Sequence, residues 1–85
     1  MKTIEIYTTP ICGYCRMAKR LLEDKGAAYV EIDVMSDQSK RAEMTRRATG
    51  GRTVPQIFID GIHVGGCDDL YALERRGELD RMLAA

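Results

Sequence analysis

The sequence predicts an α/β fold, a four-stranded mixed sheet flanked by three helices in the order βαβαββα. Three observations carry it. An apolar strand-like run ending Ile4-Glu5-Ile6-Tyr7 is followed by an amphipathic helical stretch and a second β-rich run, the pattern of a right-handed unit with parallel strands. Asp60-Gly61 stands between the apolar runs Gln56-Ile57-Phe58-Ile59 and Ile62-His63-Val64, a strong short hairpin signal. Two thiols, in Cys12-Gly13-Tyr14-Cys15, sit where the first strand gives way to the first helix.

Each element follows from its residues. Positions 3–7 alternate and carry β-branched and aromatic side chains, which suits a central strand. Pro10 blocks its continuation and turns the chain. Over 13–25, Tyr14, Cys15, Ala18, Leu21 and Leu22 share one helical face, while Lys19, Arg20, Glu23 and Asp24 share the other. Gly26, tolerant of a left-handed backbone, ends that helix. A second strand is read over 28–34. Ser36 or Asp37 then caps a second helix running to about Thr49, with a thin apolar face of Ala42, Met44 and Ala48, closed by Gly50-Gly51. Gly65-Gly66 breaks the fourth strand, and Asp68 or Asp69 caps a last helix over 70–76. Gly77 separates a final turn through Leu83.

Composition narrows the function. Eighty-five residues make one domain, 1–85. Thirteen basic residues balance thirteen acidic ones, so no net field recruits nucleic acid or a membrane surface. No apolar stretch is long enough for a signal peptide or a membrane span, and a cytoplasmic protein is expected. Three cysteines, an odd number, favour thiol chemistry over a disulfide framework.

A lone pair of cysteines three apart serves redox sites and zinc sites alike. Cys12, Cys15, His63 and Cys67 add up to four possible zinc ligands. The strand before the motif and the helix after it favour the redox reading. Cys12, at the helix start, faces unpaired N–H groups and the positive end of the helix dipole, which suits a thiolate whose main gain is as a leaving group when its mixed disulfide is reduced. Cys15, one turn in, is expected to be more buried and to act as the resolving thiol. His63 reads as an exposed strand residue, Cys67 as a small residue at a helix start, and Arg16, Lys19 and Arg20 as a solvated helix face.

Three segments in the same order and spacing, Thr8-Thr9-Pro10-Ile11-Cys12-Gly13-Tyr14-Cys15, Arg52-Thr53-Val54-Pro55-Gln56-Ile57-Phe58-Ile59 and Gly65-Gly66-Cys67-Asp68-Asp69-Leu70, resemble the signatures of the glutaredoxins. The resemblance covers essentially the whole chain, is closest to the small bacterial dithiol type, and implies a thioredoxin-like fold. It also implies a glutathione-dependent thiol–disulfide oxidoreductase acting on glutathione mixed disulfides and on proteins with disulfides, as a monomer. Cys12 and Cys15 would be catalytic. Tyr14, Arg41, Thr53, Val54, Pro55, Gly66, Cys67 and Asp68 would hold glutathione: a cis proline leaves the preceding residue's backbone groups for an extended peptide, and the helix start at Gly66-Cys67-Asp68 offers N–H groups to the γ-glutamyl carboxylate.

Two positions depart from the family pattern. Gly13 stands where most dithiol members have Pro, and Thr9 where many have Lys; Arg41, Arg46 or Arg52 would have to supply the lost cation. In related proteins a small residue at Gly13 accompanies a [2Fe-2S] cluster shared by two subunits, each giving its first cysteine and one glutathione. A cluster carrier using Cys12 is therefore one alternative function, and a thioredoxin-like electron donor that ignores glutathione is another.

Overall fold

The computed structural model describes residues 2–84. The elements run β1 (Ile4–Thr8), α1 (Gly13–Asp24), β2 (Val30–Asp33), α2 (Gln38–Arg47), β3 (Gln56–Ile59), β4 (Ile62–Gly65), α3 (Cys67–Arg75) and α4 (Leu79–Leu83). The strands form one sheet in the order β2-β1-β3-β4, with β1 parallel to β2 and the other pairs antiparallel. The mixed sheet expected from sequence is present. The segment after Gly77 is a short helix of its own, giving four helices among the described residues rather than three.

Alternation along β1 and β3 divides the molecule into two layers. Ile4, Ile6, Ile57 and Ile59 point to one side and pack with Leu21 and Leu22 of α1, Leu70 of α3, and Leu79 and Leu83 of α4. Tyr7 and Phe58 point to the other side and meet Met44 and Ala48 beside α2. Each fully buried Ile or Leu contributes roughly 1.5–3 kcal/mol. The α1/α3/α4 side therefore carries most of the apolar stabilisation. The hairpin turn has Asp60 at φ 53° and Gly61 at φ 81°, both left-handed, as its Asp-Gly sequence predicts.

Several expectations need correction. Tyr14, placed on the apolar face of α1, is 62% exposed; from that helix Ala18, Leu21 and Leu22 enter the core cluster. Ala42 is exposed, not part of an apolar face of α2. The last helix starts three residues before Leu70, with Gly66 as its N-cap rather than Asp68 or Asp69, and Asp69 reaches back so that its Oδ2 accepts from the Gly66 N–H at 2.9 Å. β2 is shorter than 28–34, since only Val30–Asp33 find partners on β1. Asp37, not Ser36, caps α2, accepting from the Ser39 and Lys40 N–H groups.

What α2 lacks in apolar surface it gains from Arg47. Its guanidinium donates to both carboxylate oxygens of Glu5, at 2.9 and 3.2 Å, and to the Tyr7 hydroxyl at 2.7 Å. It also lies 4.2 Å from the centre of the Phe58 ring. Tyr7 in turn donates to Glu43 on α2 at 2.5 Å. A polar clamp thus pins a hydrophilic helix onto the sheet. Arg47→Ala is expected to lower the unfolding free energy in urea by about 2 kcal/mol, whereas Ala42→Ser stays within about 0.5 kcal/mol; equal effects would mean that the clamp contributes nothing.

Candidate active site

The site forms where the end of β1 meets the start of β3. Tyr7 pairs with Gln56, so the loop leaving β1 and the loop entering β3 emerge at the same edge of the sheet. Cys12 ends the first loop as N-cap of α1, in extended backbone. Its Sγ accepts from the Cys15 N–H at 3.0 Å and lies 3.7 Å from the Val54 carbonyl oxygen, to which the thiol donates. The Val54–Pro55 peptide is cis. The Cys15 N–H and the start of α1 both face that sulfur.

The two thiols differ as their positions require. Cys12 is half-buried, and Cys15 is 1% exposed under α1. Burial first, and then the hydrogen bond to the Cys12 side chain, push the Cys15 thiol up to about 12. Cys15 therefore keeps its proton at neutral pH. Burial also raises the Cys67 thiol, with the neighbouring Asp68 and Cys12 charges adding to the effect.

A groove of ≈ 510 Å³ is lined by Tyr14, by Thr53, Val54 and Pro55, and by Gly66, Cys67 and Asp68; Cys12 is not a lining residue, but its sulfur lies 3.7 Å from the oxygen of Val54, which is. Seven of the eight residues expected to hold glutathione are thus brought together. Arg41 is not among the lining residues: its Nη1 donates to the Arg52 carbonyl at 3.1 Å, which ties α2 to the chain just before Thr53. No Lys or Arg lines the groove among the described residues, so the cation absent at Thr9 is not replaced within it.

The structure adds lining residues that sequence reasoning missed, chiefly Gln56, His63, Gly65 and Asp69. Gln56 carried a signal, as a polar residue opening an otherwise apolar strand, and it is only 5% exposed. His63 faces solvent as expected, yet it also lines the groove. Gly65 has φ +120°, and a Cβ there would overlap the Asp69 carboxylate that closes the start of α3.

The zinc reading fails on this geometry. Among the described residues no three or more His, Cys, Asp or Glu side chains come together as a metal site, so Cys12, Cys15, His63 and Cys67 do not form one. What remains is one accessible sulfur beside an open groove and two buried thiols. Treatment of the reduced protein with iodoacetamide at pH 7–9 is expected to give a single adduct, on Cys12. A thiol at about 12 is roughly 0.1% thiolate at pH 9, so modification of Cys15 rises only as the pH approaches that value; peptide mass mapping across pH reads the order.

Comparison with known proteins agrees with this arrangement. The family model described as Glutaredoxin matches residues 4–64. Glutaredoxin 3 of Escherichia coli (strain K12) is 53% identical over 83 residues, covering 98% of this chain and 99% of that protein. The solution structure of glutaredoxin from Brucella melitensis aligns with a TM-score of 0.85 at 55% identity, over 98% of this chain and 89% of that one. The crystal structure of a buckwheat glutaredoxin–glutathione complex aligns with a TM-score of 0.87 at 35% identity, over 96% and 76%. Matched by the family model over more than half its length, and by such a relative along nearly all of it, this chain belongs to the glutaredoxins, glutathione-dependent thiol–disulfide oxidoreductases.

Proposed function

We propose that Cys12 is the nucleophile and glutathione the occupant of the groove. The observation that supports this most is the position of the Cys12 sulfur 3.7 Å from the carbonyl oxygen of Val54, a residue that lines the groove. A tripeptide lying extended along Thr53-Val54-Pro55 would pair with the chain as an added strand and bring its own sulfur to Cys12. Its γ-glutamyl carboxylate would lie at the start of α3, where the first-turn N–H groups have no partner within the helix. The buckwheat complex with glutathione supports the same occupant.

In the glutathione cycle, the Cys12 thiolate attacks the glutathione-side sulfur of a mixed disulfide, and the substrate thiol leaves as a thiolate that takes up a proton. A second glutathione, as thiolate, attacks the glutathione sulfur bound to Cys12, releasing glutathione disulfide and restoring the Cys12 thiolate. Deglutathionylation of proteins is the net result. A protein disulfide takes a different route, because after attack by Cys12 the mixed disulfide must be resolved by Cys15. Cys15 is buried but its side chain is hydrogen-bonded to that of Cys12, so it can reach the Cys12 sulfur of the mixed disulfide from within the protein. Arg41, whose Nη1 donates to the Arg52 carbonyl, keeps further guanidinium N–H donors with which it meets the glycine carboxylate in this proposal.

The enzyme acts in this reading as a cytoplasmic monomer, one domain over 1–85, in keeping with its odd number of free thiols. No described helix is long and apolar enough to cross a membrane. A [2Fe-2S] cluster could take only Cys12 from this chain, since Cys15 is buried and no other metal-binding group forms among the described residues.

Cys12→Ser is expected to lower turnover of both a glutathionylated peptide and a protein disulfide by on the order of 10³ or more. Cys15→Ser loses only the protein-disulfide activity; equal loss of both activities would contradict this division. Reduction by thioredoxin reductase but not by glutathione would identify the thioredoxin-like donor instead, and a brown dimer from anaerobic purification the cluster carrier.

A further inference from the structure

We infer that His63 and Gln56 are positioning residues that aim the backbone of the Thr53-Val54 peptide in the groove. The inference rests on the glutathione reading and deepens it. Gln56 Nε2 donates to the Thr53 carbonyl at 3.0 Å, and Gln56 Oε1 lies 2.7 Å from His63 Nε2. A backbone carbonyl can only accept, so the Gln56 amide must turn its NH₂ toward Thr53 and its oxygen toward His63. An amide oxygen can only accept as well, so His63 Nε2 must carry a proton. The result is a directed chain, His63 to Gln56 to the Thr53 carbonyl. It needs only the Nε2 proton and so survives a second proton on the ring.

Both ends of the chain are fixed. The His63 ring stacks on Phe58 with centres 4.9 Å apart, and Phe58 is itself a fully buried residue of β3. Gln56 is nearly buried, and leaving its oxygen without a donor would cost it a hydrogen bond that water reaches poorly. At the other end, the Thr53–Val54 peptide is planar, so holding the Thr53 carbonyl toward Gln56 fixes the Val54 N–H in the opposite direction. That N–H is the donor an extended tripeptide would use. His63, which itself lines the groove, thereby also acts on the Val54 N–H through Gln56 and the Thr53 peptide.

His63→Leu keeps an apolar side chain beside Phe58 but removes the donor. His63→Gln places an amide NH₂ at a similar reach and restores it. The KM for a glutathionylated peptide is expected to rise about fivefold in His63→Leu, the equivalent of one ordinary hydrogen bond, with kcat little changed, and to stay within about twofold of the parent in His63→Gln. Gln56→Glu accepts from His63 but cannot donate to Thr53, and is expected to behave like His63→Leu. An unchanged KM in His63→Leu, or equal loss in the Leu and Gln variants, overturns the inference. The amide-proton shift of Val54 in the ligand-free protein is read without glutathione: it moves in His63→Leu and Gln56→Glu and not in His63→Gln. Those shifts moving while the parent protein shows no saturable use of glutathione would leave the relay standing and remove the glutathione reading; unmoved shifts remove the relay itself.

Discussion

The antiparallel pairing of β1 with β3 is the constraint on which the site depends. It ends on Tyr7 opposite Gln56, and both chains leave the sheet at that edge, one toward Cys12 and the other back to Pro55 and Val54. Thiol and groove wall are separated by 42 positions in sequence, yet Cys12 Sγ lies 3.7 Å from the Val54 oxygen. A slip of one residue in this register would turn Ile57 and Ile59 out of one core and Phe58 out of the other. Packing on both faces of the sheet therefore holds the reactive sulfur in place.

Burial separates two thiols that are chemically the same. One turn of helix carries Cys15 from the open edge into the layer between α1 and the sheet, where it is 1% exposed and its proton is held to about 12. Cys12 stays at the mouth, against an N–H and a helix start. The asymmetry leaves one sulfur open to substrate and the other in reach of that sulfur alone.

The two faces of the sheet are stabilised by different means. The α1/α3/α4 face is a conventional apolar layer. The α2 face has a small apolar cluster and relies on Arg47, which gathers Glu5, Tyr7 and Phe58 of the sheet under one guanidinium. Phe58 is shared further, since His63 stacks on it and lines the groove. The clamp on one side of the sheet and the proposed relay to Thr53 thus meet at a single buried ring.

The amino-acid order alone determined the four strands, the Asp60-Gly61 hairpin and the redox motif, which are local properties: periodicity, turn chemistry, and thiols at a strand–helix junction; its resemblance to the glutaredoxins pointed to seven of the twelve residues that line the groove. Tertiary structure decided what depends on partners distant in the chain. Ala42 is exposed and Arg47 holds α2, because a salt bridge to Glu5 leaves no periodic trace. α3 starts at Cys67 because Asp69 turns back to the Gly66 N–H, a choice between neighbouring acidic caps that their sequence leaves open. Arg41 is engaged by the Arg52 carbonyl and stays out of the groove, while Gln56 and His63 enter it. For those residues the side chain's role is set by which backbone carbonyl or ring lies opposite once β3 and β4 have paired, and only the folded chain brings those groups face to face.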